Sequence, residues 1–186
     1  MDETNSAIKE FFGWVLAIGV AIGVGLFMHI FVVEAFVVDG ASMEPTFHTN
    51  NRIVLWKSAY LFSEPRRGDV IVFRYPGDTS RDFIKRIIGT PGDTVEIRSG
   101  YVYVNGREIK EDYLQSFPLY DFSAQKVPQG SYFVLGDNRN NSMDSRDKSV
   151  GFVPRTYIIG KAELVFYPLN DFHIIRDQRY VFKGKK

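Results

Sequence analysis

The sequence predicts a mainly β protein, a twisted antiparallel β-sheet core with a small inserted β subdomain, preceded by one transmembrane helix. Three observations predict it. A single long uncharged run lies near the amino end, over residues 11–33. Beyond it, short β-branched and aromatic runs recur between Gly, Pro and Asp, and helical periodicity is absent over most of that region. Between two of those runs stands Asn105-Gly106, which supplies the positive φ angles that a two-residue hairpin turn requires.

Composition sets the bounds. With 186 residues, 45% of them apolar and 15% aromatic, the chain can bury one good core and at most a small appended subdomain. Its 23 Lys and Arg nearly cancel 22 Asp and Glu, so no net field argues for a nucleic-acid partner. The absence of cysteine excludes disulfides, thiolate catalysis and thiolate-rich zinc sites. No cofactor or metal is expected.

In chain order, a polar segment over residues 1–10 leads into the run 11–33, which carries no Asp, Glu, Lys or Arg and holds His29 near its end. A bilayer's hydrocarbon core needs about 20 apolar residues in a helix, so this run predicts a transmembrane anchor. Gly13, Gly19, Gly23 and Gly25 suit a membrane helix. A cleavable signal peptide is the competing reading, but the run exceeds the usual core of about 7–15 residues and the amino end is not basic. The first basic residue after the run is Arg52, which favours a cytoplasmic amino terminus, a single pass through the cell membrane and an extracytoplasmic domain over 34–186. Strands are expected at 36–38, 52–57, 70–75, 83–88 and 94–98, then a hairpin over 101–109, a strand at 131–135, and a strand or strand pair over 157–167. Residues 110–126 are more polar and less regular, so 99–126 reads as an inserted cap subdomain. Residues 136–149 read as a polar loop and 183–186 as a solvated basic tail.

Three stretches carry chemistry. In 39–46, Asp-Gly-Ala-Ser-Met-Glu-Pro-Thr, Ser42 is the candidate nucleophile, in backbone constrained by Gly40 and Pro45; the same residues also make an ordinary turn. In 82–93, period-two alternation puts Phe83, Lys85 and Ile87 on one face of a strand. If that face is buried, desolvation lowers the lysine pKa toward that of a general base; the alternative is a snorkelling lysine on an edge strand. In 136–146, Gly-Asp-Asn-Arg-Asn-Asn-Ser-Met-Asp-Ser-Arg is either a loop of local side-chain turns or a charge-assisted network beside a site.

Together these stretches resemble the bacterial type I signal peptidases, membrane serine proteases with a Ser/Lys dyad. The nucleophile box G-x-S-M-x-P-T is matched by 40–46, the lysine box K-R-[IV]-[IV]-G-x-P-G-D by 85–93, and the third signature G-D-N-R-x-x-S-x-D-S-R by 136–146. The resemblance implies the mainly β signal-peptidase architecture and removal of signal peptides from exported precursors through an acyl-enzyme. It implies Ser42 as nucleophile, Lys85 as base, Ser142 as the hydroxyl that orients Lys85, and Asp144 and Arg146 as supports. The backbone N–H of Ser42 would hold the oxyanion, and Gly40 stands where some members place a second hydroxyl. An extended substrate would lie against 36–38 and the lysine strand, with Phe36, Val38 and Ile84 forming shallow pockets for small side chains. Asn140 replaces an aspartate common in the family, which puts in doubt an ion pair to Arg139 or Arg146. Signal peptides and the lipid bilayer are the partners this implies.

Other function classes are weaker. A Ser-His-Asp hydrolase would have to use His29, His48 or His173, none of them in a recognisable motif. Self-cleaving repressors also use Ser and Lys but carry a DNA-binding domain where this chain has its apolar run. A non-enzymatic binding domain would leave Ser42 and Lys85 replaceable. Met43, beside the candidate nucleophile, is either core or surface.

Overall fold

Period-two patterning and tight turns build two antiparallel sheets. The structure, a computed structural model, describes residues 2–175. An amino-terminal helix α1 (Asp2–Phe31) is followed by β1 (Val33–Val37), β2 (Arg52–Trp56), β3 (Val70–Arg74), β4 (Asp82–Gly89), β5 (Thr94–Arg98) and β6 (Tyr101–Val104). The chain continues through β7 (Arg107–Glu108), β8 (Phe122–Lys126), β9 (Ser131–Leu135), β10 (Val153–Pro154), β11 (Ile158–Tyr167) and β12 (His173–Ile174). The larger sheet runs β1-β2-β11-β3-β4-β9-β10, with β12 on β11; the smaller is β7-β6-β5-β8. The expected tail over 183–186 lies outside the described residues.

Most expected strands are present within a residue or two. Asn105 and Gly106 have φ of 52° and 73° and close the two-residue turn between β6 and β7, where Val104 faces Arg107. The 157–167 stretch is one strand, β11, which pairs with β3 at its start and β2 beyond, with register shifts that let it bend between the two. β8 falls in the stretch read as irregular. It is a largely exposed edge strand, so its residues carry no alternation to read.

The expected membrane span is overturned. Among the described residues no helix is long and apolar enough to cross a membrane. The apolar run does not stay helical to its end: α1 stops at Phe31, and Val33 is already in β1, paired with Trp56. The single-pass topology inferred from it, with a cytoplasmic amino terminus and an extracytoplasmic domain, goes with it.

The two faces of β4 decide where the site forms. Ile84 packs with Val38, Met43, Phe47, Ile53, Leu55, Val70 and Val72 in one cluster. Ile87, with Phe83 against it, joins Ile71, Phe73, Tyr132 and Val134 in another. Both faces being covered, β4 is buried from Ile84 to Gly89, and any polar side chain on it is desolvated. Pairing of β4 with β9 begins only at Arg86, while β3 covers 82–86 on the other side. β1 pairs with β2 alone. Residues 82–85 and β1 therefore each present an unpaired edge.

Candidate active site

Ser42 sits in the connection between β1 and β2. Gly40 enters it with φ of 93°, a value that favours glycine. The amide of Glu44 donates to Ala41 O (3.2 Å) and that of Phe47 to Met43 O (3.0 Å). Met43 and Phe47 are fully buried in the core cluster. That anchoring leaves Ser42, between Ala41 and Met43, half-buried at the surface of the turn, and it places Met43 in the core.

Lys85 Nζ lies 2.8 Å from Ser42 Oγ and donates to Ile84 O at 2.8 Å. The lysine is 4% exposed, and its ammonium lies 5.2 Å from the centre of the Phe83 ring. Desolvation lowers its pKa from 10.5 to about 8, against the opposing pull of the Asp144 and Asp137 carboxylates. Lys85 lies at an unpaired edge, but its burial excludes the snorkelling alternative.

The 136–146 loop packs on the serine turn. Asn138 donates its backbone N–H to Ser42 O (3.0 Å) and its side-chain amide to Ala41 O (3.1 Å). Asp144 is fully buried and pairs with Arg146 through two bonds, of 2.6 and 2.7 Å. It also accepts from the Gly136 amide at 3.0 Å, and Arg146 donates to Ser142 O at 3.2 Å. A Cβ on Gly136 would lie 2.2 Å from Ser142 Oγ and 2.4 Å from Ser42 O, so only glycine lets the loop approach this closely.

Two sequence expectations are corrected. The bond expected from Ser142 to Lys85 is not made: Ser142 Oγ is buried with no hydrogen-bond partner among the described residues, and the Ile84 carbonyl takes the lysine N–H instead. Val38 does not line the substrate groove. It lies just beyond β1, turns inward against Met43 and Phe47, and is 1% exposed. The groove, of about 480 Å³, is lined by Phe36, Val37, Gly40, Ser42, Ile84 and Lys85 with Asn141 and Met143, and carries Arg81, Asp39 and Asp82. His48 and His173 do not line it; their nearest carboxylates are Glu44 and Asp171.

Other polar residues hold the site without having been singled out from the sequence. Arg86, next to Lys85, makes a fully buried two-bond pair with Asp137 (2.9 and 2.7 Å) and donates to Gly68 O. Thr46 donates to the same Asp137 carboxylate at 2.5 Å. The signal available was a single arginine beside Lys85 and a single aspartate near the start of the 136–146 motif. Asn140 takes no part in an ion pair. It bonds to Phe117 O and the Leu119 amide, while Arg139 pairs with Glu111 and Arg146 with Asp144.

The family described as "Signal peptidase, peptidase S26" matches residues 11–167. The chain is 44% identical over 161 residues to a "Signal peptidase I" of Leptolyngbya laminosa, covering 82% of this chain and 78% of that one. It is 40% identical over 174 residues to a "Signal peptidase I" of Bacillus amyloliquefaciens, covering 88% and 89%. A crystal structure of a signal peptidase I from Enterococcus faecalis V583 is similar at 38% identity and a TM-score of 0.48, over 53% of this chain and 97% of that one.

Proposed function

The chain belongs to the signal peptidase family, peptidase S26, and from that membership we propose that it removes amino-terminal signal peptides from exported precursors by an acyl-enzyme mechanism run by Ser42 and Lys85. It is a serine-type hydrolase. The observation that carries the dyad is the desolvated Lys85 amine 2.8 Å from Ser42 Oγ.

A neutral lysine amine keeps two N–H groups and one lone pair. One N–H is held by Ile84 O, which leaves the lone pair free to face Ser42. Ser42 Oγ attacks the scissile carbonyl as its proton passes to Lys85 Nζ, giving a tetrahedral oxyanion held by the Ser42 backbone N–H. Lys85 then gives that proton to the departing amine, the C–N bond breaks, and an ester on Ser42 remains. Lys85 next takes a proton from water, whose oxygen attacks the ester. Its return to Ser42 Oγ releases the carboxylic acid and restores the dyad. Asp144 and Arg146 hold the loop that backs the serine turn.

The substrate is read as an extended strand inserted between the free edges of β1 and of residues 82–85, a mode in which main-chain bonds give affinity and side-chain pockets give specificity. Phe36 and Ile84 line the groove, and they are read as the walls of shallow pockets for small side chains such as alanine before the cut. The test is to incubate the protein with precursors bearing a small-x-small site and sequence the new amino termini. Cleavage after the second small residue, reduced about a thousandfold or more in Ser42→Ala, is expected. Undiminished cleavage by a clean Ser42→Ala protein would overturn the assignment.

A further inference from the structure

Taking the Ser42–Lys85 reading as its basis, we propose that Glu111, which belongs to none of the three site motifs, is a positioning residue that fixes the dyad's geometry through Arg139 and Gly136. Glu111 lies in the irregular segment between β7 and β8. Its side chain is 7% exposed and clamps the fully buried Arg139 guanidinium through two bonds of 2.7 Å. Tyr113 closes the pair, donating to Glu111 at 2.6 Å and accepting from Arg139 at 3.1 Å.

A guanidinium is planar and rigid, so clamping its Nη1/Nη2 edge aims the Nε donor. That donor, Arg139 Nε, holds Gly136 O at 3.0 Å. Gly136 is therefore gripped on both sides, its carbonyl by Arg139 and its amide by Asp144. It is also wedged against Ser42 O and Ser142, where not even a Cβ fits. Any rotation of Arg139 is passed to the serine turn. The same segment reaches the base as well: the Arg86 guanidinium, one residue from Lys85, stacks 4.2 Å over the Tyr113 ring. One stretch thus locks the strand carrying the amine to the loop backing the hydroxyl. Phe36 and Ile84, which wall the groove, lie outside this network.

The consequence is selective. Displacing the serine turn by about 1 Å can cost about a hundredfold in turnover, while the groove walls Phe36 and Ile84 stay in place, so kcat falls far more than KM. The experiment uses the full chain and a peptide with an alanine-containing cleavage site. It compares Glu111→Gln, Arg139→Lys and Ser42→Ala, with the folded fraction measured by circular dichroism. Arg139→Lys keeps a cation for Glu111 but lacks the planar fork that reaches carboxylate and Gly136 together, so it tests aiming apart from charge pairing and guards against loss of fold in Glu111→Gln. Per folded molecule, both variants are expected to lose about tenfold to a hundredfold in kcat, with KM within about twofold. The midpoint of the pH–rate limb should rise as Lys85 becomes less enclosed. If activity falls only in step with the folded fraction, or KM changes in place of kcat, Glu111 is merely structural and the proposal is overturned. If Ser42→Ala itself remains active, the dyad reading fails first and takes this proposal with it, a result distinguishable from an inactive Ser42→Ala beside fully active Glu111→Gln and Arg139→Lys.

Discussion

Replacing Lys85 with methionine removes a buried amine while keeping its volume, and the stability difference between parent and variant should then report the lysine's titration directly. Lys85 is 4% exposed, and burial lowers its pKa from 10.5 to about 8 in the folded protein. This difference corresponds to about 3 kcal/mol. Below pH 8 both folded and unfolded parent chains hold the proton, so the difference between parent and variant is flat. Between pH 8 and 10.5 the unfolded chain binds the proton that the folded chain has released, so the parent gains stability as pH rises. The gain relative to pH 7 is about 1 kcal/mol at pH 9 and about 2–3 kcal/mol at pH 10, and it levels off above 10.5. Urea unfolding followed by circular dichroism at these three pH values, with Lys85→Met subtracted to cancel all other groups, measures it. In the proposed mechanism the same titration sets catalysis. The neutral fraction is about 0.1 at pH 7 and about 0.9 at pH 9, so kcat/KM should rise about tenfold over that interval and then flatten. A stability difference that stays flat from pH 7 to pH 10, or a rate limb centred near 10.5, would refute the claim that burial tunes Lys85.

Gly136→Ala must push aside the Ser42 carbonyl, which is backbone and does not yield cheaply; a loss of about 1–3 kcal/mol in thermal unfolding and a fall in kcat of about tenfold or more are expected. Ser142→Ala deletes a buried hydroxyl that has no partner among the described residues, so stability should hold or rise slightly in the same melt. Its kcat should fall far less than that of Lys85→Ala, since the base stays in place. Asp137→Ala strands the Arg86 guanidinium, which is 1% exposed, and should cost about 3–5 kcal/mol in urea unfolding. Lys85→Arg should show no turnover at any pH from about 6 to 10, because a guanidinium keeps its proton there.

The sequence alone determined what can be settled by neighbours. Alternation over 83–88, flanked by turn residues, is enough to make a strand with apolar residues beside Lys85. Asn105-Gly106 is enough to close a hairpin, because positive φ at two successive positions is a local demand. The motifs around Ser42, Lys85 and 136–146 were likewise legible, since each keeps its chemistry within a dozen residues. β8 was not legible, because an exposed edge strand buries too little to leave a pattern. Nor was the fate of the apolar run, whose last residues β2 claims by pairing Val33 with Trp56.

Tertiary structure decided everything that depends on distance through space. Ser42 and Lys85 are 43 positions apart, and their 2.8 Å contact exists because β1 and β4 converge on one groove. How far Lys85 is desolvated depends on both faces of β4 being covered, which alternation on one strand cannot reveal. Val38 belongs to the core and not to the groove because the chain has left β1 before reaching it. Glu111 had no mark in the sequence at all. Glu111 meets a buried guanidinium 28 positions away, and that is a property of packing, where the penalty for burying an unpaired charge selects which residues must meet.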